Sequence, residues 1–188
     1  MHLLAMAMAA LACAATASAQ ERWRGPSDEI RPFVGVFVPV GAQRADFKSA
    51  TMVGVQAAAE LTRHFHGVAS LGWIHGHNRM FTNDVTHIWQ FDGGFEANAV
   101  RSMAWGSSFR PFLGAGVGSR TYDYKDRQTK NTSCVAGYAS LGAEIQHGVI
   151  AVRSEARDYL SCFHSPISGE RRTRNDLGLT IGLAYNIR

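Results

Sequence analysis

From Val85 to Ala99 the sequence alternates without a break. Val85, His87, Trp89, Phe91, Gly93, Phe95 and Ala97 fall on one side, and Thr86, Ile88, Gln90, Asp92, Gly94, Glu96 and Asn98 on the other. One set is apolar and aromatic, the other mostly polar. That period of two residues belongs to a strand whose two faces meet different solvents. The run is longer than an ordinary strand of about five or six residues. The same alternation recurs along the chain. Val53, Val55, Ala57, Ala59 and Leu61 oppose Gly54, Gln56, Ala58 and Glu60. Val135, Ala139, Leu141, Ala143 and Ile145 oppose Tyr138, Ser140, Gly142, Glu144 and Gln146. Leu177, Leu179, Ile181, Leu183, Tyr185 and Ile187 oppose Asp176, Gly178, Thr180, Gly182, Ala184 and Asn186. Arg153, Glu155 and Arg157 mark the charged side of 149–160, and no helical period of useful length interrupts the series.

The pattern predicts eight strands, near 30–40, 51–61, 67–76, 85–99, 109–121, 134–146, 149–160 and 175–187. Between them, 41–49, 77–84, 122–133 and 161–174 are longer and polar, 62–66 and 147–148 are short, and 100–108 is a moderately long turn. Long loops at one end and short turns at the other, over an even strand count, predict an all-β fold: an eight-stranded antiparallel up-and-down transmembrane β-barrel. A soluble barrel also alternates, with its apolar face inward. Three features favour lipid. Many strands reach the ten or so residues that a tilted strand needs to cross hydrocarbon. The other face carries mixed charge and glycine rather than the lining of an apolar cavity. Trp73, Trp89, Phe109, Tyr159 and Tyr185 lie near strand ends, as interfacial girdles do. Composition agrees: 46% hydrophobic residues exclude wholesale disorder, and 18% charged residues fall below the usual ~25% of soluble domains. A net charge of +4, dispersed along the chain, gives no nucleic-acid footprint.

Leu3 to Ala15 is apolar and ends in Ala17-Ser18-Ala19, the small-x-small pattern of a signal peptidase site, with charge starting at Glu21 and Arg22. The reading is a signal peptide over 1–19, a short N-terminal periplasmic segment over 20–29 and the barrel over 30–188. Export implies an oxidising compartment. Cys134 and Cys162 bracket the hairpin that turns at His147-Gly148, so both fall at its far end, and a disulfide between them is expected.

Pro111-Phe112-Leu113-Gly114-Ala115-Gly116-Val117-Gly118 resembles the central strand of small OmpA-like outer-membrane β-barrel proteins, and Arg31-Pro32-Phe33-Val34-Gly35-Val36-Phe37 resembles their opening strand. The last strand, with Thr180, Gly182, Tyr185 and Ile187, is similar to the family's assembly signal, although here Arg188 follows where the family closes on Phe or Trp. The resemblance implies residence in the cell outer membrane as a monomer. The implied partners are outer-membrane lipid and lipopolysaccharide, with the barrel-assembly machinery during biogenesis and no nucleic acid. It implies a non-enzymatic protein with an envelope-structural or surface-interaction role and no cofactor. The rival readings are a lipid A-modifying outer-membrane enzyme and a soluble periplasmic ligand-binding barrel.

An eight-stranded barrel is just wide enough for side chains to fill. Glu60, Asp92, Glu96, Arg110, Arg120, Glu144, Arg153, Glu155 and Arg157 carry both signs toward the lumen, which predicts a mutually neutralising network. A turn at His147-Gly148 sets Gly142 beside Arg153, Ser140 beside Glu155 and Tyr138 beside Arg157. Other motifs have plain readings. His75, His77 and His87 could suggest a metal, but they share parity with Trp73 and Trp89 and read as interfacial residues. His64 and His66 read as solvated turn residues. His164 and Ser165 with Asp158 and Glu170 could suggest a hydrolase, without a recognisable triad spacing. Arg171, Arg172 and Arg174 form a basic loop cluster able to grip anionic lipid.

Overall fold

Each alternating segment pairs with the next one along the chain, and the last returns to the first. The computed structural model describes residues 28–40, 44, 48–77, 85–124, 132–164 and 171–187; Tyr124, Thr132, Cys162, Phe163, His164, Arg171 and Arg172 are described through their backbone alone. The described residues form eight long antiparallel strands: β1 (Asp28–Val40), β2 (Ala50–Thr62), β3 (Phe65–His77), β4 (Val85–Asn98), β5 (Ser107–Tyr124), β6 (Thr132–His147), β7 (Ile150–His164) and β8 (Arg171–Ile187). Consecutive strands pair, and β8 closes on β1, with Asp28 opposite Ile187 and Val40 opposite Asn175. Closure leaves no edge of unpaired backbone, which hydrocarbon would not tolerate.

The register fixes the geometry. Following pairs round the wall, Ile30 meets Ala57, then Ala69, Gly93, Val117, Gly137, Leu160 and Asn175, and the path returns to β1 at Val40, ten residues beyond its start. With strands ~4.8 Å apart and a ~3.3 Å rise per residue, that stagger tilts the strands by about 40°. Each residue then climbs about 2.5 Å along the barrel axis, so about ten residues cover the ~25 Å apolar band of an outer-membrane wall. The outward set supplies that band: Val34, Val53, Leu71, Phe91, Phe95, Val117, Leu141, Val152 and Ile181 are all exposed.

The strands at the long-loop end outrun the sequence reading. β5 to β8 reach Tyr124, Thr132, His164 and Arg171, and the β7–β8 ladder continues through Cys162 opposite Thr173 and His164 opposite Arg171. Outside the lipid no apolar face enforces alternation, so these extensions left no periodic trace. The basic cluster is corrected with them. Arg171, Arg172 and Arg174 belong to β8 rather than to a loop, and Arg174 is buried.

The β6–β7 hairpin is also corrected. Its turn is Gly148-Val149, with His147 opposite Ile150, so Glu144 faces Arg153, Gly142 faces Glu155, Ser140 faces Arg157 and Tyr138 faces Tyr159. The two-residue slip from the expected register preserves faces but changes every partner. The expected Cys134–Cys162 disulfide finds no support in this register. Directly opposed residues have numbers of unlike parity, so positions 134 and 162, of like parity, belong to opposite faces of the sheet. Gly148 has φ of +63°, the left-handed backbone a tight hairpin of this kind requires. Gly148→Val is expected to lower folding stability by about 1–2 kcal/mol. Gly148→Asn is expected to lower it less, as read from urea midpoints in phospholipid vesicles.

Candidate functional site in the barrel interior

The inward set of side chains meets inside the wall, and its chemistry is ionic. Among the described residues, six arginines (Arg31, Arg110, Arg120, Arg153, Arg157, Arg174) and six carboxylates (Glu29, Asp92, Glu96, Glu144, Glu155, Asp176) are buried, so the enclosed formal charges balance. Isolated buried charges are costly enough that they persist only when paired and hydrogen-bonded.

At the short-turn end the charges close into a ring. Arg31 on β1 holds Glu29 at 2.6 Å and Glu96 of β4 at 3.3 Å. Arg110 on β5 bridges Glu29 at 3.0 Å and Glu144 of β6 at 2.6 Å. Arg153 on β7 completes the circuit, lying 2.6 Å from Glu96 and 3.7 Å from Glu144. Cations and anions thus alternate around six groups drawn from five strands. Glu155 extends the ring toward the middle of the barrel, bound by Arg153 at 3.2 Å and by Arg157 at 2.6 Å. Arg157 continues to Asp92 at 3.0 Å, and the Tyr159 hydroxyl donates to the same carboxylate at 2.8 Å. Gln90 donates to Asp92 at 2.7 Å and also contacts the Tyr159 hydroxyl.

Aromatic rings seat these guanidinium groups. Arg153 lies 3.4 Å over Phe112, Arg157 4.5 Å over Tyr138 and Arg120 4.1 Å over Tyr159. Desolvated contacts of this kind add to the ionic attraction. Toward the long-loop end Arg120 binds Asp176 at 2.5 Å, both side chains fully enclosed. There the polar interior gives way to an apolar layer of Phe37, Ala50, Met52, Ile74, Ile88, Tyr122 and Cys134. Beside Arg31, Gln56, Arg153 and Tyr159 lies a cavity of about 20 Å³, room for about one water and no organic ligand.

The structure brings Asp92, Glu96, Arg110, Arg120, Glu144, Arg153, Glu155 and Arg157 together in this interior. Glu60 is half-buried at the short-turn end, opposite His66 and beside a bulge in β2. Sequence reasoning missed Glu29 and Arg31, because Ile30–Val40 looked apolar on both faces and Glu29 lay before the expected strand. The signal was the position of Glu29, two residues from Arg31 and so on the same face. Asp176 sat on the polar side of the last strand without being singled out. His66, read as solvated, is buried and lies 2.7 Å from the Asn98 amide nitrogen through Nδ1. Thr180, Gly182, Tyr185 and Ile187 all lie on β8.

Of the hydrolase residues, Asp158 is exposed on the outward face of β7, while Ser165, Glu170 and the His164 side chain lie outside the described residues. So do residues 1–27, which hold the expected signal peptide over 1–19 and all but the last two residues of the expected segment over 20–29; Asp28 and Glu29 open β1.

A closed wall of eight strands with a two-signed interior and an apolar exterior is the architecture that family membership would require. The family model for the outer membrane protein beta-barrel domain matches residues 5–188. The chain belongs to that family. Solved barrels share the fold at low identity. Neisserial surface protein A superposes with a TM-score of 0.62 at 8% identity, over 87% of this chain and 100% of that one. The N-terminal barrel domain of Pseudomonas aeruginosa OprF gives 0.57 at 14%, over 86% and 97%. Yersinia pestis Ail gives 0.50 at 12%, over 88% and 100%. No curated protein matches the sequence. What this outer-membrane barrel shares with its neighbours is therefore the fold, and its interior must be read from its own residues.

Proposed function

We propose that this outer-membrane barrel is a non-enzymatic envelope protein whose lumen is plugged by its own side chains. Its work falls to its surfaces: support of the outer membrane and contact, through the long loops, with lipopolysaccharide or other surface ligands. The observation that carries this reading is the closed ring of Arg31, Glu29, Arg110, Glu144, Arg153 and Glu96, which spans the interior with alternating charge. Selective ion paths are lined by rings of one sign, and a neutralised ring offers a passing ion no net attraction. The apolar layer around Phe37, Met52, Ile74 and Ile88 adds a dewetting barrier at the other end. In this orientation the short turns and the start of β1 face the periplasm, as in barrels of this class.

Planar-bilayer recording with the folded, detergent-extracted protein tests the plug. The expected record is a baseline without sustained conductance. A steady ohmic conductance would mean an open lumen and would overturn the reading. Profiling lipid A from cells with and without the overexpressed protein tests the non-enzymatic part. An unchanged profile is expected, and a new or lost acyl or phosphate group would replace this proposal with the lipid A-modifying one.

A further inference from the structure

On the outer surface of the wall, His75 of β3 stands directly opposite His87 of β4, one step beyond the opposed pair Trp73 and Trp89. The two Nδ1 atoms are 3.4 Å apart. Adjacent ligands of a tetrahedral ion with metal–nitrogen bonds of ~2.0–2.1 Å are separated by about 3.4 Å. We propose that His75 and His87 form a two-histidine chelate for a divalent transition-metal ion of the class imidazole favours: Zn²⁺ at this spacing, and Cu²⁺ or Ni²⁺ once the exposed His75 ring closes to the ~2.8 Å between adjacent ligands of a tetragonal ion.

Three further observations shape the site. Trp73 stacks on His87, with ring centroids 5.3 Å apart and planes 17° apart, which fixes the imidazole before any ion arrives. His87 is 9% exposed while His75 is open to the surroundings, so the ion would be held against the wall and approached from one side. His75 lies ten residues up β3 from Phe65, about 25 Å along the axis, at the upper boundary of the apolar band. The tryptophans stand one step below on the same face, and of the two histidines it is His75 that is exposed. His77 lies edge-on to His75 at 6.2 Å, and Asp123 pairs with His87 across the β4–β5 ladder. Among the described residues no three His, Cys, Asp or Glu side chains converge on one point. Among the described residues the chelate thus has two protein ligands, His75 and His87.

Cu²⁺ is the probe, being the tightest-binding ion of the series and paramagnetic. The full chain is folded in dodecylphosphocholine, whose zwitterionic headgroup carries no net charge, and one equivalent of CuCl₂ is added. Electron paramagnetic resonance is expected to show two coordinated imidazole nitrogens. His75→Gln and His87→Gln should each reduce this to one and weaken binding at least about tenfold, because the second ligand then no longer closes an intramolecular chelate. His77→Gln should leave both the spectrum and the affinity unchanged. Each variant is first shown to shift on a heat-modifiability gel, so that lost binding is not lost folding. A wild-type spectrum without two nitrogens would overturn the proposal. So would unchanged affinity in both His75→Gln and His87→Gln, or loss of the signal in His77→Gln alone.

Discussion

Replacing Arg153 by Met is expected to be among the most damaging single changes in the barrel, at about 3–5 kcal/mol. Arg153 is the group at which the ring and its extension meet. It lies within ion-pair distance of Glu96, Glu144 and Glu155, with its guanidinium stacked on Phe112 and its side chain only 6% exposed. Methionine keeps much of the length and the contact with the ring but removes the cation. Three carboxylates then share the two remaining ring arginines and Arg157, and the interior carries an uncompensated negative charge. The check is the urea midpoint of refolding into phosphatidylcholine vesicles, with the heat-modifiable band as the folded fraction. A second variant separates charge balance from packing. Adding Glu96→Gln to Arg153→Met removes one anion with the cation, and the double variant is expected to be more stable than Arg153→Met alone. Equal or greater damage in the double variant would show that shape, not neutrality, holds the interior together.

The wall was legible because lipid imposes a rule on it. Every second residue must be apolar while the strand is in hydrocarbon, and Val85–Ala99 or Leu177–Ile187 displays that rule in its letters. The interior obeys no such one-residue rule. Its condition is that charges balance across strands distant in sequence, and a balance is not visible at any single position. Asp92 and Glu96 could be assigned to the lumen from their own strand's parity. That Glu96 serves both Arg31 and Arg153 depends on the stagger of ten residues around the wall, which rests on eight registers together. One of those registers, between β6 and β7, hinged on whether the turn was 147–148 or Gly148-Val149, and periodicity cannot distinguish two registers that keep the same faces. Arg174 was misplaced for a related reason. Beyond the membrane, β8 is an ordinary polar sequence, and its burial there follows from neighbours on other strands. The histidine pair shows the same limit in smaller form: parity located His75 and His87 beside the tryptophans, but only the β3–β4 register set them face to face.

The glycines of the wall make a sharper prediction, because they divide into those that are crowded and those that are not. Gly142 on β6 faces the Phe112 ring, and a Cβ added there would lie 2.3 Å from the Phe112 Cζ and 2.2 Å from the Ser154 carbonyl oxygen. Neither neighbour can yield. Ser154 is held in the β6–β7 ladder, and the Arg153 guanidinium lies 3.4 Å from the centre of the Phe112 ring. Gly142→Val is therefore expected to cost about 3 kcal/mol or more, at or beyond the upper end of ordinary overpacking. Gly93, on the outward set of β4, has nothing within 4 Å of an added Cβ. There a valine would present a β-branched apolar side chain to lipid, and Gly93→Val is expected to leave the midpoint unchanged or raise it slightly. The two substitutions are chemically identical and both fall in strand interiors. If glycine served this barrel merely by loosening its strands, both would stabilise it. If glycine at 142 is the recess into which Phe112 packs, the Gly142→Val midpoint falls while the Gly93→Val midpoint does not, and a Phe112→Leu change recovers only part of the Gly142→Val loss, because the Ser154 carbonyl remains in the way.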